Sequence, residues 1–459
     1  MSPDETGSTT GRAIVLEPFL RRPTGRTGRR SAADDLRSPE TRLEEAVGLA
    51  RAIDLQVMDS GAVALSAITP ATYIGKGKVE EIAGLVKTAR AAVVVMDCAV
   101  SPVQQRNLEK AWNAKVLDRT GLILEIFGRR ARTKEGTLQV ELAHLTYQKS
   151  RLVRSWTHLE RQRGGFGFLG GPGETQLEAD RRVIGERIAR IERELEGVKR
   201  TRKLHRESRK RVPYPIVALV GYTNAGKSTL FNRMTRAEVL SADMLFATLD
   251  PTLRAVDLPH GTRIILSDTV GFISDLPTML VAAFRATLEE VVEADVILHV
   301  RDVSHEDTAA QAHDVSEVLR RLDVDPDDGG RLIEVWNKLD LLDAHRRLEL
   351  ANTAARKPAD QRPVLVSAVT GEGIDRLADA IEARVVAGRT TLTLALDPAD
   401  GAGASWLHRH AEVLAKANRD DGKLVMTVRV DPAKVDLLRR KFEQQIEAVD
   451  ETERRVSAR

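Results

Sequence analysis

A single cysteine, Cys98, occurs in 459 residues. No intrachain disulfide can form, and a reducing, cytoplasmic setting is the expectation. No uninterrupted apolar run approaches the roughly 20 residues that a membrane span needs, so none is expected. The first residues lack the apolar core of a secretory signal. The histidines show no zinc spacing: His408 and His410 would lie on opposite faces of a strand or far apart on a helix. Net charge is only +3, yet the basic residues are unevenly placed. The length suits roughly three or four domains.

What is present centres on residues 216–229, IVALVGYTNAGKST. Ile216 to Val220 is a short β-branched run that reads as a buried parallel strand. Gly221, Tyr222, Thr223, Asn224, Ala225, Gly226, Lys227 and Ser228 then match the phosphate-binding loop in full. Gly221 and Gly226 let successive N–H groups turn inward toward phosphate oxygens. Lys227 reaches the β- and γ-phosphates, and the Ser228 hydroxyl suits Mg²⁺. The helix that follows points its positive end at the same place.

Further motifs follow in order. Leu245-Phe246-Ala247-Thr248-Leu249-Asp250-Pro251-Thr252 suits a switch segment, with Thr248 expected at Mg²⁺ and in hydrolysis. Ile264 to Ser267 is a strand that runs into Asp268, Thr269, Val270 and Gly271. Asp268 can hold Mg²⁺ through water, and the Gly271 N–H can meet a γ-phosphate. A strand from Ile333 enters Asn337, Lys338, Leu339 and Asp340. The Asp340 carboxylate matches the N1–H and exocyclic amine of guanine, which adenine cannot offer together. Val364 to Val366 is the last strand of the series, ahead of Ser367, Ala368 and Val369.

On composition, residues 1–45 read as a disordered basic tail. Its Arg21, Arg22, Arg26, Arg29 and Arg30 either touch RNA or are simply solvated. Residues 46–137 alternate helix and strand signals, which predicts a small α/β domain. Within it, Gly75-Lys76-Gly77-Lys78 is a basic RNA loop or a plain turn. Over 138–212, Leu138, Leu142 and Leu145, then Ile184, Ile188, Ile191, Leu195 and Val198, recur at helical spacing and predict an antiparallel hairpin. Its tip, residues 161–173, combines arginine, glycine, Phe166 and Phe168, a composition suited to RNA or partner contact. A basic run from Lys199 to Arg211 adds a polyanion surface. Residues 213–388 carry the nucleotide motifs. Residues 389–459 read as a small α/β appendage, with strands at Thr393 to Leu396 and Leu424 to Val430 and helices at Trp406 to Ala417 and Val435 to Ile446.

The ordered motif set resembles translation-factor-class GTPases. Gly173-Glu-Thr-Gln-Leu-Glu-Ala-Asp-Arg-Arg182 and Asp243-Met-Leu-Phe-Ala-Thr-Leu-Asp-Pro-Thr252 narrow the resemblance to the HflX family of the Obg–HflX group, over about residues 46 to 388. It implies an α/β P-loop GTPase domain with a mostly parallel sheet and helices on both faces. It also implies a GTP/GDP site lined by the motif residues above, with Ser367, Ala368 and Val369 at the base. Members bind ribosomes, mainly the large (50S) subunit, and separate the subunits of 70S particles under stress. That predicts contact through rRNA, with a monomer expected. A ribosome-assembly GTPase acting on precursor subunits, or an RNA-binding module with the nucleotide as a switch, are the alternatives. Asn224 matches an asparagine that ligates K⁺ in several related GTPases. Phe272 stands where Ras-type GTPases carry the water-orienting glutamine, so slow hydrolysis by the protein alone, stimulated by ribosomes, is expected.

Overall fold

The computed structural model describes residues 11–21, 37–162, 172–209, 214–236, 246, 252–274, 285–387, 389–430 and 432–450. Three sheets carry the chain.

The first sheet is built from β1 (Arg12–Leu20), β2 (Gln56–Leu65), β3 (Val93–Met96) and β4 (Lys115–Asp118) in the order β2-β1-β3-β4, all parallel. Helices α1 (Pro39–Arg51), α2 (Lys76–Ala89), α3 (Pro102–Trp112) and α4 (Arg119–Arg130) cover it. Here the expected tail is corrected. Residues 12–20 are an interior strand, with Ala13, Ile14, Val15 and Leu16 buried. The apolar stretch is short and its flanks are rich in Ser, Thr, Gly and Arg, so composition over 1–45 masks it. Helix α1 also begins inside the stretch expected to be a tail, at Pro39. Ser38 caps it by accepting from the Thr41 N–H at 3.2 Å. Between α1 and α2 the chain runs as one ten-residue strand, β2.

After α4 the chain enters α5 (Lys134–Gln162) and α6 (Pro172–Arg209), 29 and 38 residues long. They run antiparallel. Leu138 packs with Ile191 and Leu195, and Glu141 pairs with Arg187 at 2.6 Å. Leu142, Leu145 and Val198 extend this seam. The heart of the tip, residues 163–171, lies outside the described residues, as do the side chains of the basic run beyond Arg200.

The second sheet comprises β5 (Ile216–Gly221), β6 (Thr252–Asp257), β7 (Arg263–Asp268), β8 (Val296–Asp302), β9 (Leu332–Asn337) and β10 (Val364–Leu365). Its order is β10-β9-β8-β5-β7-β6, parallel except for the edge strand β6. Among the helices against it are α7 (Lys227–Thr235), α8 (Arg285–Val292), α9 (Thr308–Arg321), α10 (Ala344–Ala355) and α11 (Ile374–Val386). Strand β5 lies between β7 and β8, and Val217, Ala218, Leu219 and Val220 are fully buried. This explains their near-continuous apolar run, because a parallel strand covered on both faces has no polar side.

The third sheet is antiparallel. It joins β11 (Thr390–Leu396), β12 (Glu412–Asn418), β13 (Leu424–Val430) and β14 (Ile446–Asp450) in the order β12-β13-β11-β14, with α12 (Gly401–His410) and α13 (Pro432–Lys441). The β-α-β-β-α-β order is that of a split βαβ unit. It corrects the helix expected over Trp406 to Ala417. That helix stops at His410, and Glu412–Asn418 is an edge strand paired with β13. Glu, Leu, Ala and Lys favour helix locally, but pairing across the sheet overrides the preference.

Candidate functional site

The phosphate loop leaves the carboxyl end of β5 and enters α7. Its glycines are required by contact. A Cβ on Gly221 would sit 2.2 Å from the Val300 carbonyl oxygen, and one on Gly226, at φ +90°, would sit 2.3 Å from Asn337 Nδ2. Lys227 is buried at the start of α7, and its ammonium donates to the carbonyls of Gly221 at 3.1 Å and Tyr222 at 2.8 Å. Burial pushes its pKa down to about 8, opposed by Asp268. A cation held this deep, at a helix N-terminus, suits an anion. Thr223 Oγ1 is likewise buried with no hydrogen-bond partner among the described residues.

Asp268 ends β7, fully buried, and accepts from Ser228 Oγ at 2.7 Å. This hydroxyl–carboxylate oxygen pair is the donor chemistry a hard divalent cation takes. Thr269 Oγ1 donates to the Leu219 carbonyl at 2.5 Å and fixes the turn after Asp268. Gly271 then lies against the loop: a Cβ there would approach Thr223 Cγ2 at 2.9 Å and Lys227 Nζ at 3.1 Å. Phe272 is buried and pairs its backbone with the loop. Its N–H donates to the Gly221 carbonyl at 3.0 Å, and its carbonyl accepts from the Thr223 N–H at 2.7 Å. Asn224 is exposed, at φ +59°.

The remaining motifs meet at the same end of the sheet. Asn337 donates from Nδ2 to the Ala225 carbonyl at 2.9 Å and accepts from the Ala368 N–H at 3.0 Å. One side chain thus ties the phosphate loop to the segment after β10. Ser367 Oγ donates to Asp340 Oδ1 at 2.5 Å, and Lys338 pairs with Asp302 at 2.7 Å. Leu339 is buried, whereas Val369 is exposed. Ala247, Thr248, Leu249 and Asp250 lie outside the described residues. Their neighbour Phe246 is buried and packs edge-on against Phe127 of α4, ring centroids 4.8 Å apart.

Several residues have no signal in the sequence. Arg233 of α7 donates to the carbonyls of Ala368, at 3.1 Å, and Val369, and so clamps the segment that follows Ser367. Tyr222 does more than line the loop. Its hydroxyl donates to Glu45 of α1 and accepts from the Ser274 N–H at 2.8 Å and from Arg37 at 3.0 Å. His299, in β8, is buried, and burial together with Arg301 lowers its pKa to about 4.

Strand, phosphate loop, helix, acidic strand end and Asn-Lys-x-Asp at the carboxyl ends of the strands of a mainly parallel sheet define a P-loop GTPase. Four family profiles cover nearly the whole chain. They are a GTP-binding GTPase N-terminal region at residues 40–128, its middle region at 130–209, a 50S ribosome-binding GTPase at 216–338 and an HflX C-terminal domain at 352–452. Three relatives described as GTPase HflX align over most of their length. The Magnetococcus marinus protein is 49% identical over 91% of this chain and 92% of its own. The Escherichia coli protein is 45% identical over 82% and 88%, and that of Lacrimispora saccharolytica 42% over 83% and 89%. The chain belongs to the HflX family, and its activity is GTP hydrolysis. Among the described residues no helix is long and apolar enough to cross a membrane.

Proposed function

We propose that this GTPase acts on the large ribosomal subunit, where its GTP state splits or rescues stalled or idle 70S particles, in the cytoplasm and as a monomer. The observation that carries the proposal is the hairpin. Helix α6 alone, at 38 residues, extends roughly 55 Å, and the hairpin follows directly on the domain that touches the nucleotide loop. Its basic run, with Arg129, Arg130, Arg132 and Lys149 near its base, suits rRNA phosphates.

In this reading the backbone of residues 221–228 and the Lys227 ammonium cradle the phosphates, and the Gly271 N–H meets the γ-phosphate. Ser228, Asp268 and Thr248 would hold Mg²⁺, the first two already sharing a hydrogen bond at 2.7 Å. The ion supplies neutralisation of charge on the phosphate oxygens when bound. Asp340 reads guanine, with Asn337, Lys338, Leu339, Ser367, Ala368 and Val369 around the base. Asp340→Asn should therefore weaken GTP binding and favour the xanthine nucleotide. Exposed Asn224, at the turn of the loop, suits a K⁺ ligand, so K⁺ should speed hydrolysis over Na⁺ and Asn224→Ala should erase the difference.

Sedimentation with a non-hydrolysable GTP analogue tests the proposal. Co-migration with mature 50S and loss of the 70S peak is the expected result. Co-migration confined to precursor subunits would replace it with an assembly role.

A further inference from the structure

Helix α4 of the N-terminal domain touches both segments that flank the phosphate loop. Arg119, its first residue, donates from one guanidinium nitrogen to the Ser274 carbonyl at 3.0 Å and hydroxyl at 2.8 Å. Ser274 lies two residues past Phe272, whose backbone is paired with the loop. Farther along α4, Phe127 packs against Phe246. Glu45 completes the arrangement by accepting from Arg119 at 2.5 Å, from Ser274 Oγ at 3.0 Å and from the Tyr222 hydroxyl. Burial would raise the Glu45 carboxyl, but Arg119 and the Tyr222 hydroxyl hold it below its usual range. A second nitrogen of Arg119 donates to Asp97 at 2.5 Å.

The residue before Arg119 belongs to the other partner. Asp118 caps α4 by accepting from the Gly121 N–H at 2.8 Å. Two hairpin side chains of α5 hold the same carboxylate: the Tyr147 hydroxyl at 2.5 Å and the Arg151 guanidinium. Adjacent residues at the start of one helix are thus gripped by the hairpin and by the segment after Gly271.

We infer that Arg119 is a positioning residue for GTP hydrolysis, holding the 271–274 segment against the phosphate loop, and that Asp118 links this hold to the hairpin through Tyr147. A buried guanidinium with several fixed partners has one low-energy placement, so a shift of α4 displaces Ser274 with it. Gly271 lies so close to Thr223 and Lys227 that even a Cβ would not fit between them, and a displacement of about 1 Å at reacting groups costs on the order of a hundredfold in rate. Coupling is reciprocal, so a partner that loads the hairpin shifts the nucleotide segment, and nucleotide shifts the hairpin. The inference rests on assigning residues 221–228 and Gly271 to the phosphates. It does not need the ribosomal role.

The test uses the full chain with Ser274→Ala, Tyr147→Phe, their double variant, and Arg119→Lys. The readouts are single-turnover GTP hydrolysis, GDP affinity and thermal midpoint. Ser274→Ala and Tyr147→Phe each remove one hydroxyl, so both are expected to fold. Each should slow hydrolysis about fivefold, the worth of roughly one ordinary hydrogen bond, with GDP affinity unchanged and the midpoint lowered by no more than about 4 °C. The double variant should be no slower than the slower single one, because both interrupt one path. Arg119→Lys keeps the charge but not the fork that reaches several partners, and should slow the step about tenfold. Unchanged rates in the single variants, or effects that multiply, would overturn the relay. Retention of full GDP affinity by Lys227→Ala would overturn the site assignment and the relay with it.

Discussion

The GTPase sheet has a flanking domain on each side, and the two are attached in opposite ways. The N-terminal domain meets it through a cluster of charged and hydroxyl side chains largely removed from water: Arg37, Glu45, Arg119, Tyr222 and Ser274, with Arg37 continuing to Asp314 of α9 at 2.6 Å. The C-terminal sheet makes a polar contact through Arg429, which donates to Thr262 Oγ1 at 2.9 Å. Thr262 lies in the turn before β7, and Asp268 ends that strand. At about 3.3 Å per residue the contact is roughly 20 Å from Asp268. The comparison teaches where nucleotide state can be felt. A flank wired to the residues after Asp268 shares their movement, whereas one fixed to the far end of the same strand does not.

The sharpest way to break the comparison is to cut each attachment. Glu45→Ala leaves Arg119 with Asp97 and Arg37 with Asp314 but removes the carboxylate they share, which should cost about 2–3 kcal/mol of stability. Arg429→Ala should cost about 1 kcal/mol, the worth of its hydrogen bond to Thr262, since Glu412 keeps Arg389 at 3.5 Å. Urea unfolding of both variants measures the two costs, and equal values would mean that the attachments do not differ as described.

A smaller effect separates the two parallel sheets by pH. In the N-terminal sheet, burial and the neighbouring Asp97 raise the Glu17 carboxyl to about 9, despite Arg42 at 2.9 Å. The folded state therefore holds a proton that the unfolded chain has released above its ordinary pKa of 4.5. Stability from this group is greatest below that value and declines as pH rises toward 9. In the GTPase sheet the sign is reversed. His299 is lowered from 6.5 to about 4, so the unfolded chain binds the extra proton and stability is lost as pH falls through that window. Thermal midpoints should show Glu17→Gln gaining on the parent protein at pH 8.5 and not at pH 4.5. His299→Leu should flatten the acid side of the profile. A Glu17→Gln variant that tracks the parent at every pH would show that the carboxyl is already ionised at neutral pH.

The phosphate loop, the acidic strand end and Asn-Lys-x-Asp were legible because each is a contiguous stretch whose chemistry is local. The hairpin was legible because its apolar seam repeats along two long segments. The attachment of the N-terminal domain was not. Glu45, Tyr222 and Ser274 are 177 and 229 positions apart in the relevant pairs, and an isolated Glu, Tyr or Ser carries no sign of its partner. Strand β1 was hidden by its surroundings, and β12 by residues that favour helix until β13 lies beside them. Gly271 was read as a phosphate contact, but its packing against Thr223 and Lys227 depends on how two loops cross.

The smallest expected effect sharpens the comparison most, because it is a predicted absence of coupling. The C-terminal sheet has a hydrophobic core of its own, including Leu392, Leu394, Leu407, Met426, Val428 and Phe442. The turn it touches does not depend on it for shape. Glu382 of α11, within the GTPase domain, accepts from the backbone N–H of His260 at 2.8 Å and of Thr262 at 3.0 Å, with its own carboxyl held low by those bonds despite burial. With the turn secured from inside, removal of residues 389–459 should leave β7 and Asp268 in place. Nucleotide affinity and single-turnover hydrolysis should then stay within about twofold of the parent, as for sites with no shared partners. Glu382→Ala is the opposing control: it frees the same turn from inside the domain and should lower stability without the C-terminal sheet being touched. If the truncated chain remains folded yet hydrolyses GTP more than about tenfold slower, a change of about 1.4 kcal/mol in the barrier, the C-terminal flank communicates with the site after all and the contrast between the two flanks fails.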